Sequence, residues 1–221
     1  MGTITRSFAN NITTSGVLLP ASLNNNSISN VTEYNVAIAT GNMVLISSQT
    51  ASNSASLSFT TGIDSTYKEY QFWFINIAPR TDGIQFQFNL STDAGSNYNV
   101  TKTSSAFLAY HNEPDTDNVF ASRTSDALEQ STGYQIFTWS LSNDADRSNA
   151  GTLSLFNPAS TTYVKHYICN TNSCFKTGGG EKYIGNMYIA GYGNTTTAIN
   201  AIRFQMTSGN FDGTILMYGI K

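Results

Sequence analysis

The string IQFQFNLS, residues 84–91, alternates apolar and polar side chains without a break. Ile84, Phe86, Phe88 and Leu90 share one side of an extended chain, and Gln85, Gln87, Asn89 and Ser91 share the other. A period of two belongs to a strand with one buried face, because a helix repeats its faces every ~3.6 residues. The pattern recurs downstream. AIRFQMTSG turns Ile202, Phe204 and Met206 inward and Arg203 and Gln205 outward. SASLSFTTG offers Ala55, Leu57 and Phe59; YQIFTWSLS offers Phe137, Trp139 and Leu141; TLSLFNP offers Leu153 and Leu155. TYVKHYICN and YIGNMYIAGY read as longer strands, and GTILMYGIK closes the chain. TDGI, DAGSNYN, NDADRSNAG and TSGNFDG separate them as turn clusters. Roughly eight to ten strands spaced in this way predict an all-β, antiparallel sandwich, jelly-roll-like, over residues 42–221. One segment, NVFASRTSDALEQSTG, predicts a turn or two of helix with Ser125 as its N-cap.

The strand in KEYQFWFINIAP, residues 68–79, breaks the one-sided rule. Tyr70, Phe72 and Phe74 lie on one face, and Trp73, Ile75 and Ile77 on the other. An opposing sheet covers only one face of a strand. The second face predicts cover from an arm, a loop or a second subunit, which makes Trp73 and Ile75 interface candidates. Residues 1–41 read as an extended arm: they are rich in Asn, Ser and Thr, with one apolar run, Val17-Leu18-Leu19, ended by Pro20. Such a segment buries too little to fold alone. It is expected to lie on a body or on a neighbouring subunit, with those three residues as interface candidates.

Hydrophobic residues make up 40% of the 221, but charged residues only 11%, against a usual ~25%. The surface is therefore neutral and built from Ser, Thr, Asn and Gln. It suits a virion, an extracellular module or a sugar binder better than a cytosolic enzyme. The net charge is -3 and the 11 Lys and Arg are scattered, which argues against nucleic-acid binding through phosphates. No stretch approaches the ~20 apolar residues of a membrane span. The opening MGTITRSFANNITTSG has no apolar signal region, and Arg6 stands where a myristoylation motif needs Ser or Thr. Export within a particle or by lysis is the expectation. Cys169 and Cys174 have no His or Cys beside them in sequence, so zinc is not expected. A reduced pair is favoured over a small disulfide loop.

Candidate chemistry is thin. His111 is followed by Glu113, Asp115 and Asp117. A histidine with carboxylates can serve as base or ligand, yet a solvated acidic loop is the favoured reading. DADRSNAG matches an EF-hand at Asp144 and Asp146 but carries Asn149 and Leu155 where Gly and Glu belong, so it reads as a hairpin turn. Lys165 and His166 alternate on a strand, so one of them points inward, with His166 read as a core or interface residue. GGGEKY, residues 178–183, lacks the Lys-Ser/Thr of a phosphate loop. The Asn-x-Ser/Thr triplets at Asn11, Asn30, Asn99 and Asn194 matter only on a secretory route. Tyr98, Tyr110, Tyr183 and Tyr192 fall near loops and give a weak case for sugar stacking. No catalytic residue, metal or cofactor is expected.

Several strings together resemble one family: ITRSFANNITTSGV, GIDSTYKEYQFWFINIAP, GSNYNVTKTSSAFLAYHNE, LSLFNPASTTYVKH and AGYGNTTTAINAIRFQMTSGNFDGTILMYGIK. They are similar to small β-sandwich virion proteins of tailed phages from marine and freshwater bacteria, over nearly the whole chain. CNTNSCFKTGGGEK departs from that likeness, as a variable exposed loop would. The resemblance implies a non-enzymatic structural protein on the exterior of a phage particle, made in the host cytoplasm and assembled as a homo-oligomer, a trimer being favoured. An external capsid decoration or cement protein bound to the major capsid protein is the first expectation. A tail-fibre or spike component that binds a host glycan is the alternative. Its contact loops would hold His111, Asp115, Asp117, Phe175 and Tyr183.

Overall fold

The structure, a computed structural model, describes residues 42–176, 180 and 182–221, with the backbone of 12–13 and 16–17. By its internal packing the chain divides into two units, Met1–Thr40 and Gly41–Lys221. In the first, β1 (Ile12–Thr13) and β2 (Gly16–Val17) pair antiparallel, Ile12 opposite Val17. The rest of the expected arm, Leu18 and Leu19 included, lies outside the described residues, as does the Val17 side chain.

The second unit is all-β. Its strands are β3 (Met43–Ser54), β4 (Ser56–Phe59), β5 (Glu69–Pro79), β6 (Phe86–Ser91), β7 (Lys102–Asn112), β8 (Asn118–Ser122), β9 (Gln135–Ile136), β10 (Asn149–Phe156), β11 (Lys165–Lys176), β12 (Lys182–Gly193), β13 (Ala201–Met206) and β14 (Phe211–Ile220). One sheet has eight strands in the order β3-β14-β5-β10-β11-β12-β7-β8, and the other has four, β4-β13-β6-β9. Every pairing is antiparallel. This is the sandwich that the alternation predicts. The order of eight and four does not single out a jelly roll.

The core between the sheets is aromatic. Phe204 of β13 touches Phe59, Phe72, Phe74, Phe86, Phe88 and Phe137, with ring centroids 5.2–6.3 Å apart. Burying each such ring stabilises the fold by ~1.5–3 kcal/mol, and edge-to-face pairs add ~0.5–1.5 kcal/mol. Ile84, Phe86, Phe88 and Leu90 are buried as expected, and so are Ile202, Phe204, Met206, Leu153 and Leu155.

Where the alternation misleads, a local cause is visible. Ile77, expected beside Trp73 and Ile75, is fully buried. Asn76 before it adopts a left-handed backbone, φ 52°, which Asn tolerates better than most residues. A bulge there shifts the register against β10 and β14 and turns Ile77 back into the core. Its partner is Gly213, φ 131°, where a Cβ would lie 2.7 Å from the Asn76 carbonyl. Asn89 and Ser91, expected outside, are buried, because the chain at residues 97–100 and 132 folds over that end of β6. Ala55 is exposed in the break between β3 and β4.

Segment 118–133 is strand and turn, not helix. Residues 118–122 pair with β7, and the Arg123 amide extends the ladder to the Ala106 carbonyl at 2.8 Å. A single turn follows. Leu128 is then drawn back to β7, its amide donating to Ser104 Oγ at 2.9 Å and its carbonyl accepting from the Ser104 amide. Competing strand bonds therefore override the cap signal of Ser125.

Candidate functional site

His111 sits near the end of β7 with its side chain on the outer face of the large sheet. The register sets Cys174, Ile184, His111 and Asn118 in one row across β11, β12, β7 and β8. The β7–β8 connection is tied by Asn112. Its Oδ1 accepts from the Thr116 and Asp117 amides, both at 2.9 Å, and its Nδ2 donates to Thr116 Oγ1 at 2.8 Å. Asp115, with φ 58°, brings its carboxylate to 2.8 Å from His111 Nε2. The two side chains are 47% and 80% exposed, so the pair contributes at most ~1 kcal/mol.

Two open depressions flank His111. One, about 440 Å³, is lined by Ala109, Tyr110, His111, Asn118, Ile184 and Asn186. The other, about 220 Å³, is lined by His111, Asn112, Glu113, Cys174, Tyr183 and Ile184. Cys174 stands two strands from His111, a separation of ~9–10 Å, so no thiol–imidazole pair forms. Among the described residues no group of three His, Cys, Asp or Glu is placed to hold a metal.

The expected contact residues divide. His111 and Asp115 are exposed, and Asp117 is half-buried, its Oδ2 accepting from Tyr183 Oη at 3.2 Å. Phe175 and Tyr183 are buried instead. They alternate with Cys174 and Ile184, so the period of two turns them inward, where their rings stack 5.2 Å apart. Trp139 packs on Phe175 and Tyr110 on Tyr183, with the Arg123 guanidinium 4.2 Å from the Trp139 ring centre. The cluster seals the end of the sandwich.

The outer face of the large sheet is the larger feature. Trp73 and Ile75 are 37% and 40% exposed, and among the described residues nothing covers them. Trp73 packs on Tyr218, with 5.4 Å between centroids, and its indole N–H donates to Gln71 Oε1 at 2.7 Å. Register carries one outward row from Leu216 through Trp73, Thr152, Asn170 and Tyr188 to Phe107. At its far end Phe107 stacks on Phe120, which is 78% exposed on the edge strand. Asn186 Nδ2 donates to Asn170 Oδ1 at 2.7 Å beside the row. The row carries no charged side chain.

Two lysines are buried, and the sequence signalled only one: alternation left either Lys165 or His166 inward, while nothing marked Lys102. Lys165, not His166, points inward, and His166 lies outside near Tyr192. Lys102 and Lys165 both stand opposite Gly193, on either side of β12. Lys165 Nζ donates to the Tyr163 and Thr195 carbonyls at 2.6 and 3.1 Å, and burial pushes its pKa down. Lys102 Nζ donates to Asn89 Oδ1 and, at 2.8 Å, to the Val100 carbonyl; burial pushes its pKa down to about 7. Neither lysine has a carboxylate partner among the described residues.

DADRSNAG holds a turn, the Arg147 amide donating to the Asp144 carbonyl at 3.1 Å, but not the expected hairpin: the segment leads from Leu141, bridged to Ile84 just ahead of β6 of the small sheet, into β10 of the large one, which already contains residues 149–151. Cys169 faces the core with its thiol pKa pushed up by burial, and both cysteines are free thiols. Most of the Gly-rich loop around residue 179 lies outside the described residues. Compared with known protein families, curated proteins and solved structures, the chain matches none.

Proposed function

We propose that this chain is a non-enzymatic structural protein of a tailed-phage virion, an external capsid decoration or cement protein attached through the outer face of its large sheet. The observation that carries the reading is the uncharged row from Trp73 to Phe107, open on a sheet whose other face is sealed by the core. Large apolar side chains left exposed on that face, Trp73 and Ile75 at one end and Phe107 and Phe120 at the other, are of the kind that marks interaction sites. Without charge in the row, adhesion there is insensitive to salt. The resemblance of the sequence strings supplies the particle, the jelly-roll kinship and the homotrimer, with residues 1–41 docking on a neighbouring subunit or on the major capsid protein.

A second reading is a tail-fibre or spike component that binds a host glycan. The His111 end favours it, because Asn118, Asn186 and His111 offer hydrogen-bonding groups to sugar hydroxyls around an open depression. Neither reading needs a reaction, and His111→Ala is expected to remove none.

Immunogold electron microscopy of purified virions, with antibody to residues 42–221, tests the choice. Label spread over the head is the expected result. Label confined to the tail moves the assignment to the glycan-binding reading, and unlabelled particles remove both.

A further inference from the structure

We infer that Lys102 and Asn89 form a spontaneous isopeptide cross-link, a covalent staple between the two sheets of the sandwich. Lys102 begins β7 of the large sheet, and Asn89 lies in β6 of the small one. Both are fully buried. Lys102 Nζ lies 2.5 Å from Asn89 Oδ1. With a carbonyl bond of about 1.23 Å, that contact places Asn89 Cγ at most about 3.7 Å from Nζ. Near-attack conformers hold reacting atoms ~3–3.5 Å apart, so a small approach completes the geometry.

The surroundings favour the step. The Leu90 amide donates to Asn89 Oδ1 at 2.9 Å, which polarises the carbonyl and holds the oxyanion that attack creates. Asn89 Nδ2 donates to the Tyr98 and Thr132 carbonyls at 2.6 and 3.0 Å. Those bonds fix the amide so that Oδ1 faces the lysine. The amine is a nucleophile only when neutral. Burial among neutral acceptors favours that form near neutral pH.

The chemistry balances without a co-reactant. The Nζ lone pair attacks Cγ and a C–N bond forms. A proton passes from Nζ to Nδ2, the Cγ–Nδ2 bond breaks, and ammonia leaves. The product is a neutral secondary amide in place of a buried amine and a primary amide. No carboxylate contacts the pair among the described residues, so the reaction rests on the neutral amine and is expected to be slow and faster at alkaline pH.

Intact-mass measurement of the purified full-length chain tests this, with tandem sequencing of its proteolytic peptides. The expected result is a mass lower by one ammonia and a branched peptide joining residue 89 to residue 102. The fraction linked should rise on incubation at pH above neutrality, and Lys102→Arg and Asn89→Ser should each keep the full mass. An unshifted wild-type mass after alkaline incubation overturns the proposal, as does ammonia loss mapped to any other asparagine. The wild-type mapping decides the matter even where a variant fails to fold.

Discussion

The two faces of the large sheet are built from the same strands and differ in what meets them. On the inner face Tyr70, Phe72 and Phe74 of β5 are sealed against the small sheet. On the outer face Trp73 and Ile75 of the same strand stand in the open. Alternation fixes which residues share a face, but a face becomes a core only when a second layer lies within ~10 Å. The four-stranded sheet supplies that layer on one side alone. Equal hydrophobicity along β5 therefore has two energetic meanings. Inward rings hold the fold, and outward ones are available to a partner.

Substitutions can break that contrast. The largest effect is expected from Phe204→Ala, which removes the ring that touches six others. It should destabilise the sandwich by ~3–5 kcal/mol, read as a lower urea midpoint at unchanged slope. Gly213→Ala comes next. A left-handed backbone and a Cβ 2.7 Å from the Asn76 carbonyl should cost ~1–3 kcal/mol. That loss would also loosen the bulge that returns Ile77 to the core.

Lys165 sharpens the contrast by pH. Its folded pKa lies below that of an unfolded lysine, about 10.4. Between the two values the unfolded chain holds the extra proton, so stability rises as pH climbs through that window. Below the folded pKa the charge-burial cost is fully present. Lys165→Met should flatten that rise in wild-type-minus-variant denaturation curves. A slope shared by both proteins would show that Lys165 titrates as if exposed.

The outer face should respond weakly in stability. Trp73→Ser combined with Ile75→Ser is expected to change unfolding free energy by ~1 kcal/mol or less; under the proposed attachment through this face it should also lower the number of copies retained on purified particles, and retention at the wild-type level would remove this face from that proposal. The smallest effect is expected at His111→Ala. Loss of its exposed pair with Asp115 should shift stability by less than ~0.5 kcal/mol, checked by thermal melts of variant and wild type.

Much of this was legible in the chain. The period of two in IQFQFNLS and AIRFQMTSG marked the strands and their inner residues, because side-chain alternation is a local property of extended backbone. The exposed pair Trp73 and Ile75 could be read the same way. Ile77 could not, since the bulge at Asn76 depends on Gly213 from a strand more than a hundred residues later. Segment 118–133 carried a cap signal, yet β7 won it with a ladder that only the fold presents.

The sequence by itself determined an all-β body of alternating strands with a sparse, neutral surface. Those follow from composition and from the stereochemistry of neighbouring residues. The tertiary structure alone decided that Phe175 and Tyr183 seal an end, that Lys165 rather than His166 turns inward, and that Asn89 meets Lys102 across the sheets. Each of these depends on which distant segment arrives opposite. Register and layering set that arrival, and no local spacing encodes it.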